Sequence, residues 1–198
     1  MTEMSSIIGI LLAAGTSSRF GLDKLTQRLP SSGELVALQA CRHLLAGADG
    51  VLAVVRPGSE ALAAQLQSIG AQVRVCTNAS QGMGTSLAFG ISACPDADGW
   101  LIALADMPWI APATIVKVAD ALRSGATIAA PVWQSRRGHP VGFSSTMHAE
   151  LAALRGDIGA KALIQTNLEQ LSLVDCYDPG VLWDIDQPDD MQNRPYPT

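Results

Sequence analysis

A near-continuous apolar run, Ile7, Ile8, Ile10, Leu11 and Leu12, stops at Ala13-Ala14-Gly15 and passes into Thr16-Ser17-Ser18-Arg19-Phe20-Gly21-Leu22-Asp23-Lys24. A strand that is apolar at successive positions is buried on both faces, as at the centre of a parallel sheet covered by helices. Small side chains after such a strand let backbone N–H groups approach a ligand closely, and a Gly/Ser turn can aim several of them at one anion. Arg19 and Lys24 add positive charge, so the loop predicts a polyphosphate rather than a neutral ligand, with Lys24 read as an exposed loop cation. The spacing fits neither the dinucleotide GxGxxG pattern nor a Gly-Lys-Ser/Thr loop. Taken alone, a plain strand-to-helix turn with solvated charges explains it equally well.

The rest of the chain supplies the context. Apolar positions at helical spacing from Glu34 to Ala46 predict a crossover helix, Val51–Val55 a second buried strand, and Glu60–Ile69 a helix ended by Gly70. Ala71–Cys76, Trp100–Ala105, Thr127–Trp133 and Leu171–Val174 read as further strands, with helices over Ala88–Ala93, Ala113–Leu122, Met147–Leu154 and from Lys161 through Ile164. Strands alternating with helices of about ten residues mark a doubly wound, parallel α/β sheet.

The 198 residues suffice for one domain with a substantial core. At 48% hydrophobic and 16% charged, the composition is globular and carries no disorder signature. A net charge of −5 without a basic stripe argues against a nucleic-acid partner. Met1–Ser6 lacks the positive flank of a signal peptide, and no stretch approaches the ~20 apolar residues of a membrane span, so no membrane partner is expected. Cys41, Cys76, Cys94 and Cys176 are far apart without metal or redox spacing, which predicts buried, reduced thiols in a cytoplasmic protein.

Five later segments are candidates for chemistry. Gly82-Met83-Gly84-Thr85-Ser86-Leu87 opens a helix, either capped by Thr85 or Ser86 or receiving part of a nucleotide at its N-terminus. Asp106 follows the fourth strand directly, in the crevice where open α/β sheets bind ligands, and lies too far before Pro112 to cap the next helix. Arg136-Arg137-Gly138 reads as a hairpin tip with His139-Pro140 in a turn, and Asp157 as the N-cap of the helix at Lys161. Asp184 and Asp186 would face one side of an extended segment, and paired carboxylates repel unless a cation joins them. Asp189 and Asp190 read as a solvated terminus.

As a string, LAAGTSSRFGLDK resembles the LAAGxSxRFGxxK signature that opens the MobA-like nucleotidyltransferases, which attach nucleotides to molybdopterin. GMGTSL is similar to the family's GMxxSL, LIALADMPWI to its LxxxDMP, and WDIDQPDDM to its DIDTPEDL ending with Gln187 at the Thr position. GDIGAK resembles GDxGAR with Lys161 for Arg, which keeps the charge and loses the planar fork. RRGHPVGF resembles a segment of the MocA-type branch that borders the acceptor side of the cleft.

The resemblance spans Ile7 to Met191 and implies a GT-A-like Rossmannoid domain of the nucleotide-diphospho-sugar transferase type over residues 1–193, with 194–198 a loose tail. It implies nucleotide binding by Leu12, Ala13, Ala14, Gly15, Thr16, Ser17, Arg19, Lys24, Gly82 and Ser86, with Lys24, Arg19 and Asp106 catalytic. Mg²⁺ would be held by Asp106 and Asp186, with His139, Asp157 and Lys161 on the acceptor side. Ala14 stands where the guanylyl branch has a second glycine, which implies CTP and molybdopterin as substrates and a molybdoenzyme or its chaperone as a protein partner. Guanylyl or other nucleotidyl transfer to a phosphorylated small molecule, and a non-catalytic cofactor-binding role, stay open. A nicotinamide oxidoreductase would want GxGxxG and an acid after the second strand, where Val55 leads to Arg56-Pro57.

Overall fold

The apolar strands assemble into one eight-stranded sheet in a computed structural model that describes residues 6–15 and 23–192. Thr16, Ser17 and Arg19 of the expected nucleotide site and the tail at 194–198 lie outside these residues. β1 (Ile7–Ala13) runs parallel between β2 (Gly50–Val55) and β4 (Gly99–Leu104), and β3 (Gln72–Val75) extends the parallel part beyond β2. β1 is therefore central, as its doubled apolar pattern predicts. Ile7, Leu11 and Ala13 enter one core cluster with α1 (Val36–Leu45), α2 (Glu60–Ser68) and α4 (Pro112–Arg123). Ile10 enters the opposite cluster with α3 (Met83–Ser92), α5 (His148–Ala152) and α6 (Lys161–Thr166). Both faces of the strand are thus consumed by helices, which is why a polar alternation never develops in its sequence.

The second half departs from simple winding. Beyond β4 the order is β7 (Val141–Ser144), then β5 (Ile128–Trp133), flanked by the two-residue β6 (Arg136–Arg137) and by β8 (Leu171–Asp175). β8 is parallel to β5, whereas β7 runs antiparallel to both β4 and β5. The hairpin expected at Arg-Arg-Gly is present, but its tip lies two residues earlier and the arginines belong to its second strand. Gln134 and Ser135, at φ 48° and 62°, form the two-residue tip of a hairpin, and Arg136-Arg137 pairs back on β5. His139 then sits where the chain crosses into an interior strand whose Phe143 faces Trp100 across the ladder.

Candidate active site

The carboxyl ends of β1 and β4 lie side by side, with Leu12 paired to Leu104, so Ala14 and Gly15 leave the sheet next to Asp106. This is the crevice beyond the strand ends that open α/β sheets use for ligands. A 3₁₀ turn at Lys24–Thr26, capped by the Asp23 carboxylate on the Leu25 N–H, brings the Lys24 ammonium to the same point. Lys24 Nζ lies 2.8 Å from Asp106 Oδ2 and 3.4 Å from Asp186 Oδ1, and donates to the Ile185 carbonyl at 2.7 Å. Only 13% of its side chain is exposed, so the exposed loop cation expected from sequence is in fact a half-buried bridge between two acids.

The terminal acids reach this point through their backbone. Ile185 N donates to the Asp106 carbonyl at 2.9 Å, and the Ile185 side chain is fully buried beside Leu29, Val36 and Trp109. Anchoring the apolar residue inward turns its neighbours, Asp184 and Asp186, outward toward Asp106, the alternation expected of extended chain. Asp190 is no mere solvated acid, since its carboxylate accepts from the N–H groups of Asp186 and Gln187 at 2.9 and 2.7 Å.

Neither Thr85 nor Ser86 caps α3; Gly82 does, at φ 119°. Its first turn is joined instead to the 155–159 loop, because Gly84 N donates to the Gly156 carbonyl at 2.8 Å and Thr85 Oγ1 accepts from Gly156 N at 3.1 Å. A Cβ at position 84 would lie within 3.1 Å of three carbonyl oxygens of that loop, so the contact requires glycine. The junction has a consequence for Asp157. It does not cap α6, whose N-cap is Ala160, and is held instead over Gly82 at the rim of the cleft.

Two adjoining cavities result. The first, about 440 Å³, is lined by the expected Leu12, Ala14, Gly15, Lys24, Gly82, Ser86 and Asp106. Ala13 is not among them, since its side chain is buried in the core. The second, about 370 Å³, gathers His139, Asp157 and Lys161 over an apolar floor that includes Ile102, Val141 and Ile164. Leu12, Met83, Leu104 and Asp157 line both. Folding thus brings His139 to the same cavity as Asp157 and Lys161, although the two segments are far apart in the chain. Sequence reasoning passed over Met83, Arg137 and Leu104, which line these walls, and Arg56, whose guanidinium bonds the Gly15 carbonyl and Asp23. An arginine directly after a buried strand was the available signal for the last.

The charges are strongly coupled. Burial draws the Lys24 ammonium down, but hydrogen bonding and charge attraction from Asp106 and then Asp186 more than offset it, so its pKa lies above the ordinary lysine value. Burial raises the Asp184 carboxyl, its own backbone opposes this, and the negative Asp106 and Asp186 add to the rise against the pull of Lys24. Burial lowers the His139 imidazole, with a backbone hydrogen bond at Ile102 and the Asp106 charge working the other way and Arg137 adding to the fall.

Among the described residues no cluster of three or more acidic, His or Cys side chains has metal-binding geometry. Asp106 Oδ1 is nonetheless buried without a hydrogen-bond partner, beside the Asp186 carboxylate. An orphaned carboxylate oxygen in a site of hard oxygen donors fits a divalent cation such as Mg²⁺ or Mn²⁺. No helix among the described residues is long and apolar enough to cross a membrane.

Comparison with known proteins places this geometry. Purine catabolism protein PucB of Bacillus subtilis is 32% identical over 93% of each chain, and nicotine blue oxidoreductase of Paenarthrobacter nicotinovorans is 27% identical over 96% of this chain and 97% of its own. The crystal structure of Rv0371c from Mycobacterium tuberculosis superposes with a TM-score of 0.81 at 28% identity over 97% of both chains. Its manganese complex does so with a TM-score of 0.75 at 27% identity, over 95% of this chain and 97% of that one. The sequence pattern of the MobA-like NTP transferase domain matches residues 9–172, from the central strand through the 155–159 loop and into β8, and the chain belongs to that family.

Proposed function

We propose that the paired cavities carry out divalent-metal-dependent transfer of CMP from CTP to the terminal phosphate of molybdopterin. An acceptor phosphate oxygen bonds to the α-phosphorus, the bond from that phosphorus to the bridging oxygen breaks, and pyrophosphate leaves with the electron pair. The observation that carries this reading is the Lys24 ammonium held between Asp106 and Asp186 at the floor of a cavity that opens into a second one bearing Arg137, His139 and Lys161. Such a transfer asks the protein for positioning and charge stabilisation, and the acceptor phosphate is already ionised at neutral pH, so no general base is required.

In this reading Lys24 stays protonated and exchanges a carboxylate for an oxygen of the triphosphate, while Gly15, Gly82 and Ser86 line the space the nucleotide enters. Asp106 and Asp186 would hold Mg²⁺, which when bound neutralises phosphate charge. The carboxylates would otherwise repel the nucleotide. Arg137 and Lys161 attract the anionic end of the acceptor, and the apolar floor takes its ring system. Delivery of the product to a molybdoenzyme or its chaperone belongs to the same proposal.

Ala14, at the rim of the first cavity, motivates CTP over GTP. Pyrophosphate release with molybdopterin and each nucleotide at equal Mg²⁺ tests it, with thermal shifts run in parallel. CTP is expected to be preferred; preference for GTP would replace the cytidylyl assignment by a guanylyl one and leave the transfer intact. One relative carries an oxidoreductase name, so NADH and NADPH belong in the same thermal series. No shift is expected, because Arg56 stands where a dinucleotide fold places the acid that binds the ribose.

A further inference from the structure

β2 leaves the sheet at Val55, which is paired with Ala13, so Arg56 emerges beside the Ala14-Gly15 end of β1. Its guanidinium is shared between two partners. Nη1 donates to the Gly15 carbonyl at 2.8 Å and Nη2 to Asp23 Oδ2 at 3.0 Å. Asp23 is itself a junction: its Oδ1 accepts from Leu25 N at 3.2 Å, and its carbonyl accepts from Thr26 Oγ1 and Gln27 Nε2 at 3.0 and 3.1 Å. These bonds hold the short turn that begins with Lys24.

We propose that Arg56 is a positioning residue for nucleotide binding, acting through Asp23 on Lys24 and directly on Gly15, and this rests on the nucleotidyl-transfer reading of the first cavity. Arg56 does not line that cavity, whereas Gly15 and Lys24 do. With about 30% of both side chains exposed, the attraction between Arg56 and Asp23 contributes little by itself. The value of the contact is geometric. A planar fork anchored to one strand fixes a carbonyl and a carboxylate that stand eight positions apart in the chain, and so fixes the distance between the two phosphate-facing residues. A lysine ammonium, a compact charge on a flexible stem, cannot reproduce two divergent bonds from a rigid plane.

The test uses Arg56→Gln, Arg56→Lys, Asp23→Asn and the Arg56→Gln/Asp23→Asn double variant, with Arg74→Gln on β3 as control. Each single variant at the clamp is expected to raise KM for CTP about tenfold, with kcat and the KM for molybdopterin within about twofold, since misplaced binding groups weaken binding before they alter chemistry. The double variant is expected to be little worse than the worse single one. Arg56→Lys should fail to rescue. A normal KM for CTP in Arg56→Gln, or a fall in kcat alone, would overturn the proposal. Hydrogen exchange in the ligand-free protein supplies a second readout that does not depend on the reaction. The amides of Leu25 and Gln27 are expected to exchange about tenfold faster in Arg56→Gln and unchanged in Arg74→Gln. Unaltered exchange refutes the clamp even if the wild type transfers CMP, and faster exchange upholds it even if CTP is not the substrate.

Discussion

The two cavities share a wall but are built in opposite ways. The first is walled by parallel strand ends, a half-buried ammonium between two carboxylates, and a backbone bond that ties Asp106 to Ile185. The second is walled by an antiparallel insertion, a five-residue loop and the start of a short helix, and its charged residues Arg137, Asp157 and Lys161 are exposed. Groups held by a sheet and by one another are preorganised for a fixed chemistry, whereas exposed charges on loops can change without disturbing the core. Under the proposed transfer, the first cavity should therefore respond to substitution by losing catalysis, and the second by changing preference.

The sharpest test of that difference is Lys24→Ala. It is expected to lower kcat/KM for transfer by about 10²–10³-fold, the cost typical of removing a charge-stabilising donor. Because the bridge is half-buried, it should also lower Tm by leaving Asp106 and Asp186 facing each other, and added divalent cation should restore part of that stability. A loss of activity with unchanged Tm would mean that the bridge between the acids is energetically idle.

Next in size are Asp106→Asn and Asp186→Asn, each expected to weaken Mg²⁺-dependent CTP binding by about tenfold or more, with the double variant little worse than the worse single one. Titration of Mg²⁺ at fixed CTP reads this. Normal binding in Asp186→Asn with a dead Asp106→Asn would move the second ligand to Asp184, which faces the same cluster. On the other side, Lys161→Ala should raise the KM for molybdopterin about tenfold, equivalent to ~1.4 kcal/mol, with the KM for CTP unchanged. A rise in both would show that the cavities do not act separately.

The smallest effect concerns pH. His139 and His43 both titrate below their ordinary value of 6.5 because burial disfavours the imidazolium. A depressed folded pKa gives stability that is present above 6.5 and is lost as the pH falls through that value toward the folded one, since the unfolded chain takes up the proton first. Tm should fall between pH 7 and pH 5, and the fall should be shallower in His139→Gln. An equal slope in wild type and variant would place His139 outside the buried set.

Local pattern determined a good deal. The doubled apolar run of β1, the strand and helix alternation, and Asp106 directly after a buried strand were readable because burial on two faces and strand-end placement leave their mark on neighbouring residues. His139, Asp157 and Lys161, which share one cavity, and the terminal Asp186, which meets Lys24, were singled out by motif resemblance, with no indication of what they would touch. Tertiary structure alone decided the rest. β7 inserts antiparallel between β4 and β5 although it follows both in the chain, and no periodicity records the order of strands in a sheet. Gly82 rather than a hydroxyl caps α3 because the 155–159 loop occupies Thr85 and needs the space at Gly84. Lys24 bridges acids 82 and 162 positions away, and Arg56 clasps residues 41 and 33 positions before it. Contacts over such separations arise only when the sheet has closed and its strand ends converge, because until then nothing in the local sequence says which charges will share a crevice.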